Sequence, residues 1–257
     1  VDNVTAVWGS YNNNTWTATT ANATTATPAN GVNNLLAFTA GGVRYSTGVN
    51  DGALTGTFTA ASFQAFIPNA ASVPATTGYN AIPLSGTYDS TKARAAYLYD
   101  GANGLDLNTE RFNIPASAVK CDVTVSNAAA ATDSIPDVLV TQVGQPSASN
   151  LDRFYFIDSS NAIVGNAVTV SFSSVAVTAR QNWQFWNPNH TRQSSLDGPR
   201  DLRMRAYGFA DFGINASNIG NIVGFVQIPS GDSDIAFVAY NRLAVTTPAS
   251  VSVVKSN

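Results

Sequence analysis

Apolar and polar residues alternate in short runs along this chain, and turn residues punctuate the runs. Arg153-Phe154-Tyr155-Phe156-Ile157 and Leu202-Arg203-Met204-Arg205-Ala206-Tyr207 have the two-residue period of a strand with two unlike faces. The same reading predicts strands at Val4–Trp8, Thr15–Thr19, Leu35–Ala40, Leu54–Thr59, Ala95–Tyr99 and Cys121–Val125. It continues through Val138–Val143, Arg153–Ile157, Ala167–Phe172, Val175–Arg180, Leu202–Tyr207, Ile222–Gln227, Ile235–Tyr240 and Val251–Val254. Turn signals fall between them at Gly41-Gly42, Asn50-Asp51-Gly52, Asp158-Ser159-Ser160-Asn161 and Pro229-Ser230-Gly231-Asp232. The third of these predicts a hairpin that begins at Arg153.

The helix signal is weak. Two short helical turns are predicted, one at Ser62–Phe66 with Phe63 and Phe66 three apart, and one after Asn215, a residue that caps helix starts. Many short strands with little helix predict an all-β, jelly-roll-like sandwich. Its 257 residues suit a single domain over 1–257, in which the Thr/Asn/Ala-rich segment 1–34 forms a polar arm or edge strand.

Composition sharpens the picture. Charged residues make up only 11% of the chain, less than half the usual share, and its single glutamate is Glu110. A formal net charge of −3 argues against nucleic acid as a partner, because phosphate binding needs a basic patch. No apolar run of 18 residues is present to span a membrane as a helix. Val1-Asp2-Asn3-Val4-Thr5 does not read as a signal peptide. Cys121 is the only cysteine, so no disulfide forms within the chain, and its alternating context predicts a small buried hydrophobe.

Candidate chemistry is sparse. The one histidine, His190, lies in a Trp-Asn-Pro-Asn-His stretch, and no nucleophile elbow accompanies it. No catalytic residue is assigned, and the chain is not read as an enzyme. A hydrolase would need two facing carboxylates, drawn from the aspartates or from Glu110. One histidine and one cysteine exclude structural zinc. Calcium at Asp100, Asn103 and Asp106 is the metal reading that the oxygen-rich loop leaves open, and no other cofactor is expected.

The densest cluster runs from Arg180 to Phe212. On a strand, Arg203, Arg205 and Tyr207 face one way and Leu202, Met204 and Ala206 the other. With Trp186 and His190, that row could stack on and hydrogen-bond a glycan. The competing reading is an arginine ladder paired with Asp197, Asp201 and Asp211 and packed on aromatic rings. Trp183 and Phe185 share a face and are predicted to be core.

Several stretches together resemble a known family. They are Leu35-Leu36-Ala37-Phe38-Thr39-Ala40-Gly41-Gly42-Val43-Arg44-Tyr45-Ser46-Thr47-Gly48-Val49-Asn50-Asp51, Asn103-Gly104-Leu105-Asp106-Leu107 and Ile135-Pro136-Asp137-Val138-Leu139-Val140-Thr141-Gln142. Ala210-Asp211-Phe212-Gly213-Ile214 and Asp234-Ile235-Ala236-Phe237-Val238-Ala239-Tyr240-Asn241 complete the set. In this order they resemble an amino-terminal domain of large secreted surface proteins of Bacteroidetes, the adhesin-like cargo of the type IX secretion system. The resemblance covers most of residues 35–257. It implies a secreted or cell-surface protein in adhesion or matrix assembly, with glycans, matrix components or further copies of itself as partners. It supplies no ligand and no catalytic residue. A carbohydrate-binding module is the alternative, and a glycan-active hydrolase or a viral capsid or fibre protein the remaining rivals.

Overall fold

A computed structural model describes residues 5–12, 15–20, 32–49, 54, 56–66, 105, 107, 109–114, 116, 118–186 and 193–247. These residues form β-strands joined by turns and short 3-10 segments. In chain order the strands are β1 (Thr5–Asn12), β2 (Thr15–Thr20), β3 (Val32–Ala40), β4 (Val43–Ser46), β5 (Phe63–Ala65), β6 (Thr109–Ile114), β7 (Val119–Asp122), β8 (Thr124–Val125) and β9 (Val138–Val143). They continue as β10 (Asp152–Ile157), β11 (Ile163–Val170), β12 (Ala179–Trp186), β13 (Gly198–Tyr207), β14 (Gly224–Ile228), β15 (Ser233–Ile235), β16 (Val238–Asn241) and β17 (Val245–Thr246).

The largest sheet has seven strands in the order β15-β6-β12-β13-β9-β16-β5. Within it β6 and β12 run parallel, with Glu110 opposite Phe185. The sheet curls, since β15 hydrogen-bonds to β6 yet also lies against β9. A four-stranded sheet, β11-β10-β14-β7, packs on one of its faces. Phe156 and Phe225 project from this second sheet, Phe225 meeting Phe66 and Phe156 meeting Phe209 and Phe212, while Phe154 stacks against Phe225. A third sheet, β2-β1-β3-β4, docks beside β5, where the Phe38 ring meets Phe63 edge-on at 5.4 Å. The fold is thus all-β and sandwich-like.

Burial explains the strand pattern. All six residues of β9 are buried, as expected of a strand with both faces covered. On β13 Leu202, Met204 and Ala206 are buried, and the residues between them are only partly so. On β10 both faces are used. Phe154 and Phe156 enter the main core, while Tyr155 and Ile157 join Ala118 and Val226 in a second cluster on the other face. Cys121 is buried as a small hydrophobe, and burial pushes its thiol up.

Several expectations change. Of Val175–Arg180 only Ala179 and Arg180 are strand, at the start of β12, and Cys121–Val125 is divided between β7 and β8. Ser62–Phe66 is not a helical turn: Phe63–Ala65 is strand β5, because β16 supplies hydrogen-bonding partners along it and the Thr47 carbonyl accepts from the Phe63 N–H. The predicted strand Ile235–Tyr240 is two strands. Thr141 Oγ1 both donates to the Phe237 carbonyl and accepts from the Phe237 N–H, which takes Phe237 out of the ladder. In Leu54–Thr59 the described residues form only a bridge from Thr59 to Tyr45. The turn after Asn215 does form: its side chain accepts from the Ser217 N–H, and a 3-10 segment follows at Ile219–Asn221. Ala95–Tyr99 and Val251–Val254 lie outside the described residues.

Candidate functional site

The arginine-rich strand is where the sequence places it. Arg203, Arg205 and Tyr207 share one face of β13, opposite Gln142, Val140 and Val138 of β9. All three are half-buried. Tyr207 meets the Phe212 ring edge-on at 5.9 Å. Arg203 donates from Nη1 to the Gly144 carbonyl, and its Nη2 lies 3.9 Å from Asp201 Oδ2. Asp201 also takes a 2.7 Å bond from Arg180 Nη1. Asp197 accepts instead from the Phe185 N–H, and Asp211 from the Gly208 N–H. Asp201 thus sits between two arginines, Arg180 and Arg203. Trp183 and Phe185 are core, as their shared face predicts.

Trp186 ends β12, directly across from Arg111 of β6. Its side chain and the whole of His190 fall outside the described residues. So do Asp100, Asn103 and Asp106, the calcium candidates. Among the described residues no group of three or more His, Cys, Asp or Glu is arranged to hold a metal ion.

A second constellation lies at the β15 edge of the same sheet. Glu110 is fully buried, and neither of its carboxyl oxygens has a hydrogen-bond partner. Burial raises its carboxyl well above the ordinary range; Asp234 adds to the shift and Arg200 opposes it. Arg200 stands 5.0 Å over the Phe185 ring, and its guanidinium donates to the carbonyls of Pro199 and Leu196. Asp234 accepts from the Asn113 N–H at 2.8 Å, and burial pushes its carboxyl up to about 7. Close by, Asp152 is buried and accepts from Ser233 Oγ and the Ser230 N–H.

No protein-family model, curated protein or solved structure matches the chain. What the arrangement can do must therefore be read from its chemistry. A buried carboxyl without donors is stable only as the neutral acid, because desolvating the anion costs far more than it regains without partners. Glu110 is thus an acid that holds its proton, whereas at Asp234 the Asn113 N–H works against the effect of burial. Two facing carboxyl groups are what a hydrolytic site requires, but such a site must also admit a substrate, and Glu110 exposes none of its surface.

Sequence reasoning placed the arginine face and named Glu110 only as one possible half of a carboxylate pair. It missed Asp137. That residue accepts the Phe209 N–H on Oδ2, leaves Oδ1 without a partner, and is pushed up to about 8 by burial. An acidic residue directly before the apolar run Val138-Leu139-Val140 was the available signal.

Proposed function

We propose that the chain is a non-enzymatic, extracellular adhesive or structural module of a secreted cell-surface protein. The observation that carries this reading is where its reactive side chains point. Glu110, Asp137 and Asp152 are each all but closed to solvent, and Arg203 and Tyr207 make contacts within the fold. The exposed turns are built from Ser, Thr, Asn and Ala, as at Ser147–Ser149, Ser159–Ala162 and Ser173-Ser174. Such a surface suits contact with neighbours more than chemistry on a small substrate. The resemblance to type IX secretion cargo supports the same reading. Light scattering and negative-stain imaging of the protein, with surface labelling of its source cells, test it. Self-association or cell-surface retention is expected; a strictly monomeric protein that never associates with the cell surface overturns it.

A carbohydrate-binding module is the second reading, favoured by the single face that Arg203, Arg205 and Tyr207 share beside the end of β12. Glycan-array binding that is lost in Trp186→Ala, with the fold intact, would select it. No binding to any glycan removes it.

A further inference from the structure

We propose that β2 is the interface through which two copies of this chain join, edge to edge and antiparallel, about a two-fold axis at Thr17. The proposal rests on the reading of the chain as a self-associating module and names the surface that associates. An edge strand presents a row of unpaired N–H and C=O groups, and folded proteins blunt such rows by shortness, charge, bulges or a cover. Among the described residues, the other edges are all blunted. β15 and β5, which end the seven-stranded sheet, have three residues each, and β15 carries Asp234. β7 carries Lys120 and Asp122, paired at 3.6 Å. β11 slips its register opposite Tyr155, and the 3-10 segment Phe209–Phe212 packs on it at Gly165. β4 is bridged by Thr59, whose N–H donates to the Arg44 carbonyl and whose carbonyl accepts from the Ser46 N–H. β8 and β17 have two residues each.

β2 has none of these devices. It ends the sheet β2-β1-β3-β4 with six residues, Thr15-Trp16-Thr17-Ala18-Thr19-Thr20, without a charge, a proline or a glycine. Its pairing with β1 runs from Thr15 to Thr20 with no register shift. A regular, uncharged strand of this length, mostly β-branched, is the kind that templates another. It is also its own complement. In an antiparallel pair of β2 strands centred on Thr17, Thr15 stands opposite Thr19, Trp16 opposite Ala18 and Thr17 opposite itself. Threonine thus meets threonine, the largest residue of the strand meets the smallest, and no like charges oppose each other. Centred on Ala18, the pair would set alanine against alanine and Trp16 against Thr20. A second copy supplies the matching strand by symmetry, and a two-fold contact closes after one step. The two four-stranded sheets, one from each copy, would join into one of eight strands.

Sedimentation velocity of the whole chain over a range of concentrations tests this. Wild type should form dimers. Thr17→Lys and Thr17→Glu each set like charges against one another at the axis, and each should weaken the dimer at least about tenfold. Mixed in equal amounts, the two variants should dimerise again, because lysine then meets glutamate; recovery also shows that both are folded. Thr17→Cys gives a second readout. Cys121 is buried, so the new thiol is the accessible one, and mild oxidation should link two copies through it. Thr20→Cys should not link, since a dimer centred on Thr17 holds the two copies of residue 20 far apart. Wild type that stays monomeric overturns the proposal, whereas the adhesive reading falls only if cell-surface retention is absent too. Dimers that withstand both charged variants overturn it while leaving self-association through another surface. A mixture of folded variants that stays monomeric overturns it as well.

Discussion

Phe66 and Phe225 stack ring on ring, with centroids 4.4 Å apart and planes 4° from parallel, across the space between the two large sheets. Tyr240 leans on Phe66 at 4.8 Å, and Phe156 meets Phe225 edge-on at 5.1 Å. The pair joins the residue that follows β5 to the start of β14, so it carries inter-sheet packing directly. Phe225→Ala should cost about 3–5 kcal/mol, from lost burial plus an unfilled cavity. Phe225→Leu should cost distinctly less, since it refills much of the volume. Urea unfolding midpoints, with slopes unchanged, measure both. A loss below about 1 kcal/mol in the alanine variant would mean that this contact does not hold the sheets together.

Asp137 should make the protein more stable in mild acid than in mild base. Its carboxyl sits at about 8 in the fold, raised by burial and then by Asp133 and Asp211, against about 3.9 in an unfolded chain. The folded state therefore binds this proton more tightly. The contribution is fully present below about pH 4 and is lost as pH rises through about 8. Unfolding free energy should fall by roughly a few kcal/mol between about pH 5 and about pH 9. Asp137→Asn should remove part of that slope, leaving the parts due to other buried carboxyls such as Asp234, pushed up to about 7, and Glu110. Equal slopes in the two proteins would show that Asp137 is not the titrating group.

Where local pattern and final environment agree, the sequence was readable. Val138–Val143 is a strand to the residue, and the Asp158–Asn161 signal is the β10–β11 turn, with Asp158 Oδ1 accepting from Ser160 and Ala162. The failures arise where distant partners decide. Phe63 and Phe66 read as a helical pair until β16 supplies a ladder for β5. Thr141 breaks the run at Phe237 from 96 residues away. Thr109-Glu110-Arg111 has no apolar residue to mark a buried strand, yet β6 pairs in parallel with β12 there and Glu110 is buried. The arginine face of β13 was legible because its alternation is local; which aspartate pairs with it was not.

Gly165 is a position where only glycine fits. Its φ is 72°, and a Cβ there would stand 2.2 Å from the Phe212 carbonyl oxygen and 3.0 Å from Gly213. The 3-10 segment Phe209–Phe212 thus packs its backbone directly on β11. Gly165→Ala combines left-handed strain with a backbone clash and should cost more than about 2 kcal/mol. Gly220→Ala, where a Cβ meets nothing within 4 Å, is the control and should be near neutral. Thermal unfolding of the two variants side by side decides it, and equal melting temperatures would count against the close approach.

Ser233 should matter more in neutral solution than in acid. Its Oγ donates to Asp152 Oδ1 at 2.6 Å, and the Ser230 N–H donates to the same oxygen at 2.9 Å. Asp152 is buried, its Oδ2 has no partner, and burial raises its carboxyl while these bonds pull it back down. The Ser233 hydroxyl thus favours the ionised form. Ser233→Ala should cost roughly 1.5–3 kcal/mol where Asp152 is charged, the range for a hydrogen bond to a charged group. As acid puts a proton on this carboxyl in both proteins, the bond is no longer made to a charged group and the difference should shrink. Urea unfolding of wild type and Ser233→Ala at about pH 4 and about pH 8 tests the sign. A cost that grows in acid would mean that Ser233 stabilises the neutral acid instead, and the bond would have to run from Asp152 to the serine.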